Sequence, residues 1–165
     1  MKIIKTPISE EDVLDLKVGD KISLSGKMYC GRDAVLPKLV KAIEDKNQFD
    51  FDFKGMAIMH TAVSDAGIAP TTSNKAEIES SIAPLSAAGV KFHIGKGSLS
   101  DETKIALDEN NSVFIITPPV AALLTNSVKS KKCVAYENEG MEAFYELEVE
   151  NIPGIVAIAH GESIF

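Results

Sequence analysis

Three short segments each place one positive side chain where a helix is about to start. The first is Met28-Tyr-Cys-Gly-Arg-Asp33, with Arg32 directly before Asp33, an expected N-cap. In the second, Ala69-Pro-Thr-Thr-Ser-Asn-Lys-Ala-Glu77, Asn74 as N-cap and Glu77 three residues on define a helix start. That leaves Thr71, Thr72 and Ser73 in the loop and Lys75 at the first helical position. The third is Gly95-Lys-Gly-Ser-Leu-Ser100, with Lys96 between two glycines and Ser100 as the cap. A helix N-terminus offers unpaired N–H groups and partial positive charge, so it attracts anions. Glycines such as Gly97 let the backbone come close, hydroxyls donate hydrogen bonds, and the cation supplies charge. If the three junctions converge, they make a pocket for a small molecule carrying more than one carboxylate. One cationic junction is an ordinary surface feature; three in one acidic chain mark a site.

Other chemistry finds less support. Gly95-Lys-Gly-Ser is not a phosphate-binding P-loop, because Gly89 lies one position too far upstream and Gly97 follows the lysine. His60, His93 and His160 form no metal-spacing pair; the first two are expected to be structural and the third solvated. Cys30 and Cys133 match no ligand spacing and are expected to be free thiols in a reducing compartment. There is no Gly-x-Ser-x-Gly elbow. The six glutamates from Glu137 to Glu150 read as a solvated face or a partner surface, with 146, 148 and 150 on one side of a strand.

These junctions need strands before them and helices after them, and the apolar pattern supplies both. Lys2–Ile8 is extended, Ser9 with Asp12 starts a short helix, and Lys21–Ser25 alternates as a half-buried strand. Leu36, Leu39, Val40 and Ile43 form one helix face after Asp33. Met56–Met59 is strand-sized. A helix over Lys75–Ala88, kinked by Pro84, ends at Gly89. Val90–Ile94 and Val113–Thr117 read as strands, and Asp101–Glu109 as a helix. Pro118-Pro119 would open another helix through Leu124. Lys132–Tyr136, Phe144–Val149 and Ile155–Ala159 complete the strands. The order gives a single α/β domain with a mixed sheet over residues 1–165.

A length of 165 residues suits one such domain with its own core. A net charge of -7 argues against nucleic acid, but a few placed cations still hold an anionic substrate. The N-terminus carries neither a signal-peptide pattern nor a membrane anchor, so a cytoplasmic protein is expected.

The run Gly26-Lys-Met-Tyr-Cys-Gly-Arg-Asp-Ala34, then Pro70-Thr-Thr-Ser73, Gly95-Lys-Gly97 and Gly140-Met-Glu-Ala143, resembles class I fumarate hydratases in order and spacing. The likeness is to their C-terminal domain or separate β subunit, and to that of L-tartrate dehydratase. It covers nearly the whole chain. It implies a swivelling β/β/α domain, and an α subunit whose three cysteines hold a [4Fe–4S] cluster that this chain does not bind alone. It further implies a homo-oligomer or an α/β hetero-oligomer. By the same resemblance Thr71 takes part in proton abstraction alongside an α-subunit Asp, while Arg32 and Lys96 hold substrate carboxylates; the junction loops add Thr72, Ser73, Lys75 and Gly97 as substrate-binding residues. The family's Gly-Pro-Thr-Thr-Ser-Gly-Arg run here has Ala69, Asn74 and Lys75 in place of its glycines and arginine. Lysine keeps the charge and loses the bidentate fork. The usual Tyr-Thr-x-Arg-Asp-x-Ala-His reads Tyr29-Cys-Gly-Arg-Asp-Ala-Val-Leu36.

The leading expectation is thus a β subunit of an iron–sulfur hydro-lyase acting on a small 2-hydroxy dicarboxylic acid. One alternative is a non-catalytic, anion-binding or scaffolding paralogue. Another is an interaction protein working through its glutamate-rich face.

Overall fold

The computed structural model describes residues 1–64, 67–68, 71, 76–117 and 127–165. Its centre is a sheet in which β2 (Lys21–Cys30), β3 (Ala57–Met59), β6 (Phe92–Gly95) and β7 (Val113–Ile116) run parallel in that spatial order. The long strand β9 (Phe144–Ala159) runs antiparallel and pairs with both β2 and β7, which closes the sheet on itself. β1 (Lys2–Lys5) extends β2 in parallel; β8 (Val128–Ala135) and β10 (Glu162–Ser163) pair with β9. A two-stranded hairpin, β4 (Val63–Ser64) with β5 (Gly67–Ile68), stands apart from the main sheet.

Side-chain alternation divides the interior. Ala57 and Met59 of β3, Phe92 and Ile94 of β6, and Val113 and Ile115 of β7 point into one core with Leu24, Met28 and Cys30 of β2. The intervening residues face the helices. Tyr29 and Ile58 pack on α2 (Leu36–Glu44) and α3 (Ala76–Ala87), while Phe114 and Ile158 pack with Ile82 of α3 and Leu107 of α4 (Asp101–Glu109). A period of two in the strands thus serves two cores at once.

Local signals place the helix ends. Ser9 and Asp12 form the reciprocal capping box of α1 (Glu10–Leu14), and the Ser100 hydroxyl accepts from Thr103 N–H at the start of α4. Gly89, at φ 118°, ends α3: its N–H donates to Ser86 O while Val90 N–H donates to Leu85 O, a Schellman closure. The α3 face of Ile78, Ile82 and Leu85 is buried, with Pro84 inside the helix.

Three expectations need correction. Asp33 is not an N-cap: α2 begins at Leu36 with Val35 as its cap residue and no side-chain cap bond, and the Asp33 carboxylate accepts from Arg32 instead. The predicted pair of C-terminal strands is the one strand β9. Pro153 and Gly154 do not break it, because they lie where β9 passes from β2 to β7. A Cβ on Gly154 would sit 2.6 Å from Ile115 Cγ2, so glycine permits the close approach, while Pro153 and Gly154 stay in register with Ser23 and Ile22. His160 is not simply solvated: its Nε2 lies 3.1 Å from Val13 O and 2.9 Å from Leu16 O, tying the chain end to α1. The expected helix from Pro118 and the Asn74 cap lie outside the described residues.

Candidate functional site

Because β2, β3, β6 and β7 are parallel, their carboxyl ends share one edge. Met59 is level with both Cys30 and Ile94, and Gly95 with Ile116. The residues that follow these ends, Gly31-Arg32, His60-Thr61, Lys96-Gly97 and Thr117, therefore crown the same side of the sheet. Two strand spacings put the backbones carrying Arg32 and Lys96 about 10 Å apart, a span suited to a small dianion. Ligands in open α/β sheets bind at this edge.

The Arg32 end is set firmly. Tyr29 stacks against Phe51, Phe53 and Phe144 with ring centroids 5.1–6.4 Å apart, and its hydroxyl donates to Asp52 O at 3.1 Å. Burial in this cluster pushes the Tyr29 phenol up to about 12, so it stays protonated. Gly31 N–H donates to Met59 O at 3.1 Å, and a Cβ on Gly31 would meet Phe144 Cδ1 and Val35 Cγ2 at 2.9 Å. Only a glycine lets β2 turn over this packing into Arg32.

The Arg32 side chain is about one-quarter exposed, and its Nε lies 2.9 Å from Asp33 Oδ1 and 3.0 Å from Glu142 Oε1. Glu142 comes from the 3₁₀ helix Glu137–Glu142 that precedes β9. Sequence reasoning placed this glutamate with a solvated face; the signal that could have singled it out was the Gly140-Met-Glu-Ala143 motif. Glu148, between buried Leu147 and Val149, and Glu150 are exposed, as expected, while Glu146 is half-buried beside Lys27.

Lys96 is exposed just past β6 and makes no ion pair with another described residue. Gly97 follows at φ 88°, a left-handed conformation that favours glycine. Thr71 is described on its own, 4% exposed, in the chain between β5 and α3. The fold thus brings Arg32, Lys96 and Gly97 to one edge. Thr72, Ser73 and Lys75 lie outside the described residues.

Two histidines that the sequence assigned to structure are buried beneath this edge. His60 follows β3, and its ring centroid is 6.3 Å from that of His93 on β6, whose Nε2 is 2.7 Å from Ser86 Oγ of α3. Desolvation, with His60 as a lesser cause, lowers the His93 imidazole to about 3, so it is neutral at physiological pH.

No three His, Cys, Asp or Glu side chains among the described residues gather to hold a metal ion. Cys30 lies in the core with its thiol pushed up by burial, and Cys133 is exposed on β8. The two flank Tyr145 on opposite neighbouring strands and do not form a cluster-binding set. Among the described residues no helix is long and apolar enough to cross a membrane.

Comparison with known proteins gives a consistent set. The family model described as Fumarase C-terminus matches residues 2–165. The Methanocaldococcus jannaschii protein named "Putative L(+)-tartrate dehydratase subunit beta" is 35% identical, across 96% of this chain and 88% of its own. The L(+)-tartrate dehydratase subunit beta of Escherichia coli K12 is 32% identical, across 99% of this chain and 86% of its own. The anaerobic class I fumarate hydratase of the same organism is 29% identical over 86% of this chain, which spans 27% of that longer protein.

Proposed function

This chain belongs to the fumarase C-terminus family, and we propose that it is the β subunit of a hydro-lyase that reversibly dehydrates a small 2-hydroxy dicarboxylic acid. The observation that carries the reading is the placement of Arg32 and Lys96 on one edge, on strands two spacings apart, in a chain of net charge -7. Arg32 holds one substrate carboxylate through its terminal nitrogens and Lys96 the other, with backbone approach at Gly97. Thr72, Ser73 and Lys75 add donors from the loop before α3. Thr71 stands beside the carbon that gives up a proton as the neighbouring hydroxyl departs as water and a carbon–carbon double bond forms.

The domain comprises residues 1–165 and is of the swivelling β/β/α type, a reading that the closed strand ring with α2, α3 and α4 packed outside its core supports. It works in the cytoplasm with an α subunit that carries a [4Fe–4S] cluster, as a homo-oligomer of such pairs or an α/β hetero-oligomer. That cluster, when bound there, supplies Lewis-acid assistance to loss of the hydroxyl; Cys30 and Cys133 do not fit as its ligands. The test is anaerobic assay of the co-expressed, cluster-loaded pair with tartrate and malate. Turnover that is lost in Lys96→Ala while the pair still assembles supports the reading. A loaded pair that turns over no hydroxy acid refutes it.

A further inference from the structure

Arg32 has five N–H donors, and its recorded carboxylate contacts run through Nε alone, to Asp33 at 2.9 Å and Glu142 at 3.0 Å. Neither Nη1 nor Nη2 hydrogen-bonds another described residue. The single Nε–H donates to Asp33, and the Glu142 carboxylate lies against the same nitrogen as an ion pair, so the acidic pair holds the base of the fork and leaves the tips, the part that matches a carboxylate bidentately.

Glu142 is itself held in place. Its neighbour Glu139 pairs with Lys38 of α2 at 2.6 Å, which clamps the 3₁₀ helix to the helix that follows Arg32. Tyr145 Oη donates to Gly140 O at 3.3 Å, and Ala143 N–H donates to the same oxygen at 3.0 Å. Gly140, at φ 61° and ψ −123°, makes the kink that turns Glu142 back toward Arg32. Two elements far apart in sequence thus meet through one guanidinium.

We propose that Glu142 is a positioning residue that aims the Arg32 fork at the substrate carboxylate, and does not plug the site. This rests on the hydro-lyase reading above. Removing the negative charge should let the guanidinium swing and weaken ground-state binding more than turnover.

The experiment compares Glu142→Gln and Glu142→Asp with the parent in the assembled pair, reading KM and kcat separately. It also records Nε–H exchange of Arg32 by ¹H–¹⁵N NMR on the chain alone, assigned through Arg32→Lys. The expected result is about a tenfold rise in KM with a smaller change in kcat for Glu142→Gln, partial recovery in Glu142→Asp, and faster Nε–H exchange. A lowered KM would mean that Glu142 competes with substrate, and would overturn the proposal. So would unchanged KM and unchanged exchange. Should Glu142→Gln fail to assemble, the Glu142→Asp values decide between the same outcomes. If the parent pair turns over no hydroxy acid, the hydro-lyase reading falls, while Nε–H exchange still reports whether Glu142 orders Arg32; unchanged exchange overturns that too.

Discussion

Arg32 and Lys91 sit at opposite ends of the same parallel strands, and each lies against a glutamate. Lys91 precedes β6 and is only 7% exposed; its Nζ is 2.5 Å from Glu10 Oε1 and donates to Asn110 O at 3.1 Å. The Lys91 contact, with a further bond from Asn111, holds the Glu10 carboxyl below the usual range. A cavity of about 710 Å³ opens beside them, lined by Ser9, Lys54, Gly89 and Asn110 among others. Yet Lys91 at this end ties α1 to the end of α4 and is engaged by that task. At the other end the Arg32 contacts run through Nε and leave the tips of the fork. Charge and cavity size do not distinguish a structural ion pair from a binding group here; the donors left over do.

The largest expected effect lies at the carboxyl edge. Thr71→Ala should lower kcat of the assembled pair about a thousandfold with little change in KM, as loss of a proton-transfer group does. A comparable rise in KM with kcat unchanged would instead make Thr71 a binding residue. Arg32→Lys should cost about a hundredfold in kcat/KM, because a point charge cannot replace the fork. Its thermal unfolding should stay close to the parent's.

Lys91→Ala should show the reverse pattern, with turnover nearly unchanged and stability lowered by about 2 kcal/mol in urea titration. Lost activity in a well-folded Lys91→Ala pair would break the contrast between the two ends. His93 sharpens it from beneath the site. Its native value of about 3 lies below the ordinary 6.5, so the unfolded chain takes up the extra proton. The stability it contributes is whole above pH 6.5 and is lost as pH falls from 6.5 toward 3. Between pH 6.5 and 5.5 the loss should be about 1 kcal/mol, and His93→Gln should flatten that slope.

The smallest effect belongs to the outer face of β9. The Lys27–Glu146 pair is 3.9 Å apart and its lysine is largely exposed. Glu146→Lys with Glu148→Lys should change stability by less than about 1 kcal/mol. If this double reversal abolished assembly with the α subunit, the glutamate face would be a partner surface.

Much of the local structure was legible in the residues. The Ser9–Asp12 box, the Ser100 cap, the Gly89 stop and the apolar stripe of α3 lie where nearest-neighbour chemistry places them. The span Asp101–Glu109 is the one that periodicity predicts. Errors arose where a local rule met a distant contact. Pro153-Gly154 resembles a turn, but pairing with Ser23 and Ile22 on β2 keeps it in a strand. Asp33 resembles a cap, but its carboxylate accepts from Arg32.

By itself the sequence determined most of the elements, the family motifs and the positive side chains that follow strand ends, because caps, periodicity and charge act over a few residues. The tertiary structure decided which cation keeps donors in reserve. That choice depends on β9 running back along β2, which brings the 3₁₀ helix and Glu142 over Arg32, and on α1 reaching Lys91 at the far end. Such partners are chosen by chain closure, and no spacing along the sequence records it.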